Sequence, residues 1–454
     1  MSQKSASTER RDLLNSPIGK TLKSMTLPML IGMVMMMSFG LVDTFFIGFL
    51  LGTQELAAIS FTFPVTFTLI SLHIGLGIGT SAVIARFLGS NSHDQAKESG
   101  TGALMLAFVL AVILALVGLL TIDPIFILLG ATDQLLVHIR EYMVVWYAAG
   151  VFLAMPMVGN SILRASGDTK TPSYVMASGG LINVILDPIL IFGWGPIPAM
   201  GMQGAALATL IAWALGLVYI LYLLAYKRQL ILPRLLNLKE LQRTIGGILK
   251  IGLPAAGANM LTPIAGGILT AVVAGYGPGA VAAWGVGGRL ESIASIVILA
   301  LSMSLPPFIS QNYGANNLLR VSKAYQLCVR FVVVWQLLVF AVIYMLSGVL
   351  ARLFSTEPEV INLIQAYLMI VPLGYGVQGI VILTNSSFNA MHLPMSALLM
   401  SVLRLFVFFV PISYLGSYLF DLKGMFFAGI VANVLTAAVA YIWFSRAIAK
   451  RITG

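Results

Sequence analysis

The chain has 454 residues, 59% of them hydrophobic and only 9% charged, with a formal net charge of +10 and a mean hydropathy of +0.96. A soluble domain carries about 25% charged residues, so this is a membrane protein with small parts outside the bilayer. The apolar runs are continuous, without the two-residue alternation of a membrane β-barrel. The single cysteine, Cys328, rules out an intrachain disulfide framework and a cysteine-based metal site.

Residues 1–25 form a polar tail containing Lys4, Arg10, Arg11 and Lys20. The tail has no short apolar core followed by a cleavage site, so it reads as a retained cytoplasmic segment and not a signal peptide. Twelve transmembrane helices are expected at roughly 26–50, 58–85, 100–121, 136–165, 171–193, 202–226, 251–275, 279–306, 324–351, 363–390, 394–419 and 425–448. The segments 58–85 and 279–306 are rich in glycine and are candidates for broken helices. The longest polar stretch, 227–250, reads as a cytoplasmic linker between a first lobe (26–226) and a second (251–448). Residues 449–454 form a short cytoplasmic end.

Of the 26 Lys and Arg residues, 20 lie in the tails, in the loops after even-numbered helices or, as Arg164 and Arg446, at the helix ends beside them. The basic excess therefore marks the cytoplasmic side and puts both termini there, in the bacterial inner membrane. This distribution accounts for the positive charge without nucleic acid.

The two lobes are repeats. Leu27-Pro28 pairs with Leu253-Pro254 at an offset of 226. Gly-Ser-Asn at 89–91 pairs with Gly-Ala-Asn at 314–316, and Asn160-Ser-Ile-Leu-Arg-Ala165 with Asn385-Ser-Ser-Phe-Asn-Ala390, both at 225. Six helices per half give parallel repeats, an architecture of transporters that rock about a central site.

The halves differ where chemistry is expected. Asp43 in the first helix and Asp187 in the fifth each sit mid-way through an apolar run. An ionised group there costs about 2.5–3.5 kcal/mol even on mild insertion scales, so such residues mark ion or proton pathways. Neither run contains the Lys or Arg that a purely structural ion pair needs. The counterpart of Asp43 falls near Leu269. The counterpart of the Asn183–Asp187 segment falls near 403–409, which offers Arg404 and no carboxylate. The N-terminal half is therefore the one equipped to bind a cation.

Asn183 and Asp187 are four apart and share a helix face. Pro188 follows and disturbs the turn before it. Carboxylate, amide and carbonyl oxygens suit a hard cation, and Thr209 in the sixth helix is a further hydroxyl. Helix-to-helix hydrogen bonding is the plainer use of Asn183. Asp43 has no such neighbour on its own helix, so it is the residue expected to take up a proton. Pro28 and Gly32 lie four apart below it and mark a kink. Protonation of Asp43 is expected to let the helix bend there, the plainer alternative being a fixed kink. Arg289 and Glu291, two apart, do not face each other and are expected to pair elsewhere or snorkel. Gly75-Leu-Gly77-Ile-Gly79 reads as close helix packing. The four histidines show no ligand spacing, and there is no phosphate-binding loop or nucleophile constellation, so enzymatic activity is not expected.

Pro28-x-x-x-Gly32 with Asp43, the Asn183-x-x-x-Asp187-Pro-x-Leu-Ile-Phe segment and Gly204-Ala-Ala-x-Ala-Thr209, set in two six-helix halves, resemble the multidrug and toxic compound extrusion (MATE) transporters, most closely their DinF-type branch. The resemblance covers nearly the whole chain. It implies that Asp43, Asn183, Asp187 and Thr209 are the cation or proton ligands, and the metal site if Na⁺ binds. It further implies that Pro28 and Gly32 form the helix-1 hinge, with Tyr142 and Asn160 lining the same cavity. The acidic residues that the NorM-type branch carries in helices 7 and 10 are absent here. The function implied is export of lipophilic, mostly cationic drugs in exchange for H⁺ or Na⁺, with no other cofactor, by a monomer in contact with membrane lipid. The rival is a flippase for a lipid-linked or amphiphilic substrate, for which Arg289 and Arg404 speak.

Overall fold

The computed structural model describes residues 13–50 and 53–453, and of these only the backbone for 36, 39–50, 53–57, 59, 60, 202 and 453. The described residues are helical almost throughout. The helices are α1 (Ile18–Leu50), α2 (Thr53–Gly89), α3 (His93–Leu128), α4 (Asp133–Ala165), α5 (Lys170–Phe192), α6 (Gly201–Tyr222), α7 (Leu238–Ala274), α8 (Pro278–Ala294), α9 (Ile296–Gly314), α10 (Leu318–Phe354), α11 (Pro358–Ile370), α12 (Tyr375–Ala390), α13 (Pro394–Val402) and α14 (Val410–Thr453). Among the described residues the one strand-like pairing is an isolated bridge between Trp194 and Ile197.

Among the described residues, ten segments are long and apolar enough to cross a bilayer. The last of these is two spans joined by a break at Phe420 and Asp421 (φ 56°, ψ −157°). With α1 the count is twelve, and the protein is an all-α membrane protein built of two six-helix lobes.

The expected linker is mostly not a loop. α7 starts at Leu238, where Asn237 and Glu240 form a capping box. Glu240 N donates to Asn237 Oδ1 at 2.9 Å, and Asn237 N donates to Glu240 Oε2 at 3.0 Å. This pairing satisfies two of the donors that a helix start leaves open. Arg234 holds the same carboxylate from the preceding loop, at 2.8 and 2.7 Å, and that contact raises the guanidinium pKa further.

Of the two glycine-rich segments, one breaks and the other does not. The eighth span divides at Ser295 into α8 and α9. The Ala294 carbonyl at the break accepts from the buried Gln336 side chain of α10 at 3.0 Å. A freed backbone group at membrane depth needs such a partner. α2 runs unbroken, and its glycines serve packing. A methyl group at Gly75 would run into Gly252 and Ala256 of α7, and one at Gly79 into the Ile248 carbonyl. Small residues four apart on both helices let the backbones meet. Further irregularities are a 3₁₀ turn at Val371–Gly374, around Pro372, and π-helical turns at Leu223–Lys227 and Leu403–Phe409.

Two compact units result. Among the described residues, the first comprises 13–16 and Ser24–Ala256, and the second Pro17–Lys23 and 257–453. In the first, α4 packs on α2, α3 and α6, and α5 lies on α6. Its core includes Ile84, Ile162, Leu163 and Leu224. In the second, α12 packs on α9, α10 and α14, with α11 on α8 and α10. The repeat extends to the backbone. Asn91 and Asn316 are both left-handed (φ 60° and 56°), as are Gly167 and His392 (φ 88° and 59°), each pair 225 residues apart.

Candidate functional site

Asp187 is completely buried in α5. One turn earlier, Asn183 reaches across to α6, 3.2 Å from Thr209 Oγ1. With the amide turned so that its nitrogen faces the carboxylate, Asn183 donates to Asp187 Oδ2 at 3.2 Å, and its oxygen accepts from Thr209 N and Oγ1, 3.2 Å each. This orientation satisfies both ends of the amide, and we adopt it. The Ala205 carbonyl, 3.1 Å from Thr209 Oγ1, is the alternative acceptor for the single hydroxyl proton. Gly204 makes the helix approach possible, because a methyl group there would strike the Leu190 carbonyl of α5. Pro188, within α5, has no N–H to give to the Val184 carbonyl one turn back. Asn183, Asp187 and Thr209 thus form one polar group of carboxylate, amide and hydroxyl, with the Val184 carbonyl beside it. Such oxygens suit a proton or a hard monovalent cation better than a transition metal.

The remaining predicted residues are placed as follows. Asp43 is in α1, but its side chain is outside the described residues. α1 is helical through Pro28. Gly32 is buried against α5, where a methyl group would lie 3.0 Å from both Cα and Cβ of Ser173. Ser173 Oγ also lies 3.5 Å from Met29 Sδ of α1. Tyr142 and Asn160 are both in α4, 18 residues apart. That is five full turns, so they share a face at levels about 27 Å apart. Tyr142 packs beside the aromatic core of Phe126, Trp146 and Tyr147. Asn160 is buried, and its Oδ1 has no hydrogen-bond partner.

Other charged residues divide as follows. Arg140 pairs with Asp123 at a solvated rim, at 2.6 Å. Arg289 is exposed. Glu291 finds a partner 87 residues away, accepting from Gln378 Nε2 at 2.9 Å. Nothing in the local sequence of Gln378 announces that contact. The signal for the α7 cap, Asn237-x-x-Glu240, was present in the sequence and is easily hidden by the basic residues around it.

The two-lobe all-α fold, with a polar group in the middle of one lobe, defines the class as a polytopic membrane transporter. The MatE family profile matches residues 28–189 and again 254–415, the same offset of 226 that separates the Leu-Pro pairs. The chain belongs to this family of MATE transporters. It is similar to an FAD transporter of Shewanella oneidensis, 42% identical over 433 residues, covering 95% of this chain and 96% of the relative. It is also similar to the multidrug export protein MepA of Staphylococcus aureus, 28% identical over 94% of this chain and 93% of the relative. The crystal structure of the Vibrio cholerae MATE transporter VcmN in the bent form matches with a TM-score of 0.91 and 34% identity, over 99% of both chains.

Proposed function

We propose that this protein is a secondary active exporter of large, ring-bearing amphiphiles, working by alternating access and driven by inward movement of H⁺ or Na⁺. The observation that carries the reading is the buried Asn183–Asp187–Thr209 group. A buried carboxylate facing a neutral amide that is itself tied to a second helix is a place where a cation can arrive and leave. Asp43 is assigned to the same coupling site. Gly32 and Ser173 set α1 against α5, and the two helices run in the same direction, with three spans between them. Eleven residues on from each, the backbone of Asp43 comes level with Val184, between Asn183 and Asp187. Pro28 and Gly32 are the proposed bending point of α1, and the cation acts by antagonising substrate in the same lobe. That antagonism is mutual by linkage. One charge moving inward across 100 mV supplies about 2.3 kcal/mol, roughly a 50-fold cargo gradient.

Two cargo readings follow from the relatives. The buried acid and the name of the Staphylococcus relative favour lipophilic cations. The name of the more similar Shewanella relative favours a flavin dinucleotide. Proteoliposomes test both, with ethidium and FAD as cargo and pH and Na⁺ gradients imposed separately, for wild type, Asp43→Asn and Asp187→Asn. Gradient-driven movement of either cargo by wild type, lost in the variants, is the expected result and names the ion. Full transport by both variants, or none by wild type under either gradient, overturns the reading.

A further inference from the structure

The second unit holds a polar group that the coupling scheme does not use. Arg404 lies ten residues into the eleventh span, within the π-helical turn Leu403–Phe409. A π turn in a membrane helix is a frequent mark of a functional position, and an arginine at membrane depth is retained for a purpose. Its Nε is fully buried and has no hydrogen-bond partner. Among the described residues no carboxylate makes an ion pair with it; Glu291 acts on it only across a distance. The Glu291 carboxylate is occupied otherwise. Gln378 donates to it at 2.9 Å. The carboxylate is thus engaged by a neutral donor, and the buried Nε of the guanidinium is left unspent.

Three backbone irregularities fall in the segments that carry these residues. Glu291 is one turn before the α8–α9 break, Tyr375 and Gln378 follow the 3₁₀ turn Val371–Gly374, and Arg404 is in the π turn. Discontinuous helices at membrane depth are where transporters build substrate contacts. A planar fork of unspent N–H donors matches phosphate oxygens in pairs.

We propose that Arg404 forms an anion subsite that takes the phosphate or diphosphate of an amphiphilic cargo. This deepens the exporter reading and rests on it for the direction of transport, though not for binding. The chemistry is shared by a soluble flavin dinucleotide and a polyprenyl diphosphate lipid.

Flavin fluorescence quenching on the purified full-length protein measures the affinity for FAD and for riboflavin, which lacks phosphate. Polyprenyl diphosphate and inorganic pyrophosphate serve as competitors. Wild type is expected to prefer FAD, and in Arg404→Met the FAD-to-riboflavin affinity ratio falls by about tenfold or more, the scale set by loss of charge-assisted phosphate contacts. Arg404→Lys keeps the charge without the fork and gives an intermediate ratio, which covers the case of a poorly folded Met variant. If polyprenyl diphosphate binds through Arg404 and FAD does not, the subsite stands and the lipid is its source. Equal affinity for FAD and riboflavin in wild type, with no competition from the diphosphate lipid, overturns the proposal. A loss that strikes both flavins equally in Arg404→Met and Arg404→Lys also overturns it, because Arg404 is then structural. Failure of all gradient-driven efflux with the ratio intact removes the exporter reading and leaves the subsite.

Discussion

Gly32 and Ser173 bring the backbones of α1 and α5 into close approach, a methyl group at Gly32 falling 3.0 Å from the Ser173 Cα. The obstacle is backbone, so it cannot rotate away. Gly32→Ala is expected to push the helices apart by a few tenths of an ångström, and Gly32→Val by more. Overpacking of this kind costs about 1–3 kcal/mol. A lowered melting temperature in detergent, graded Gly to Ala to Val and accompanied by loss of transport, is the expected outcome. A fully stable and active Val variant would show that the contact does not govern α1.

Asn183 supplies the donor that faces the buried Asp187 carboxylate. Asn183→Leu leaves that acceptor short of a hydrogen bond, at a cost of about 1–3 kcal/mol. Thr209→Ala removes only the outer partner and is expected to be milder. Asp187→Asn should lower gradient-driven efflux by about tenfold or more, the range of an ordinary coupling free energy, while cargo binding persists. Paired flux and binding assays decide this, and a parallel loss of both would point to a role in packing instead.

Asp168 is the hub at the α4–α5 corner. It accepts from Thr171 N at 3.0 Å, Thr171 Oγ1 at 2.7 Å and Arg228 Nη2 at 2.7 Å. The ion pair is only 22% and 12% exposed. Asp168→Ala therefore takes the carboxylate away from a part-buried guanidinium and is expected to cost about 2–3 kcal/mol. Arg228→Ala should cost less, because Thr171 still serves the carboxylate. Thermal unfolding of the two single variants and the double variant gives the coupling, and additive losses would contradict the hub.

Gly287 faces the Tyr367 ring so closely that a methyl group would overlap it. With Trp284 and Phe426 on its other sides, that ring has nowhere to go. Gly287→Ala is expected to destabilise the second unit by about 1–3 kcal/mol, read as a drop in melting temperature. Tyr367→Leu in the same background removes the hindered ring and should restore part of it.

Much of this was legible in the sequence for a simple reason. A carboxylate inside an apolar run is conspicuous, and Asn183, Asp187 and Thr209 were named from their helix spacing and a family resemblance. The constant offset gave the two-lobe plan, and Gly75 and Gly79 read correctly as packing. What stayed hidden depends on partners far away in the chain. Ser173 gives no local hint that it seats Gly32 from 141 residues off. Gln378 looks like any polar residue near a glycine until Glu291 stands beside it. The early start of α7 was a local signal, Asn237-x-x-Glu240, lost in a stretch whose basic charge argued for a loop.

The first compact unit does not close where the polar loop lies. It takes in α7 as far as Ala256, and Gly252 and Ala256 are the very residues that seat Gly75 of α2. A designer grafting one half of this transporter onto the other half of a relative would naturally cut in the loop at 228–237. That cut would strip the first half of a helical strut and hand it a stranger's, with mismatched small residues against Gly75 and Gly79. Exchange of halves should succeed only when the splice is moved into the helix, to the Ala256–Gly257 junction, so that the strut travels with its glycines.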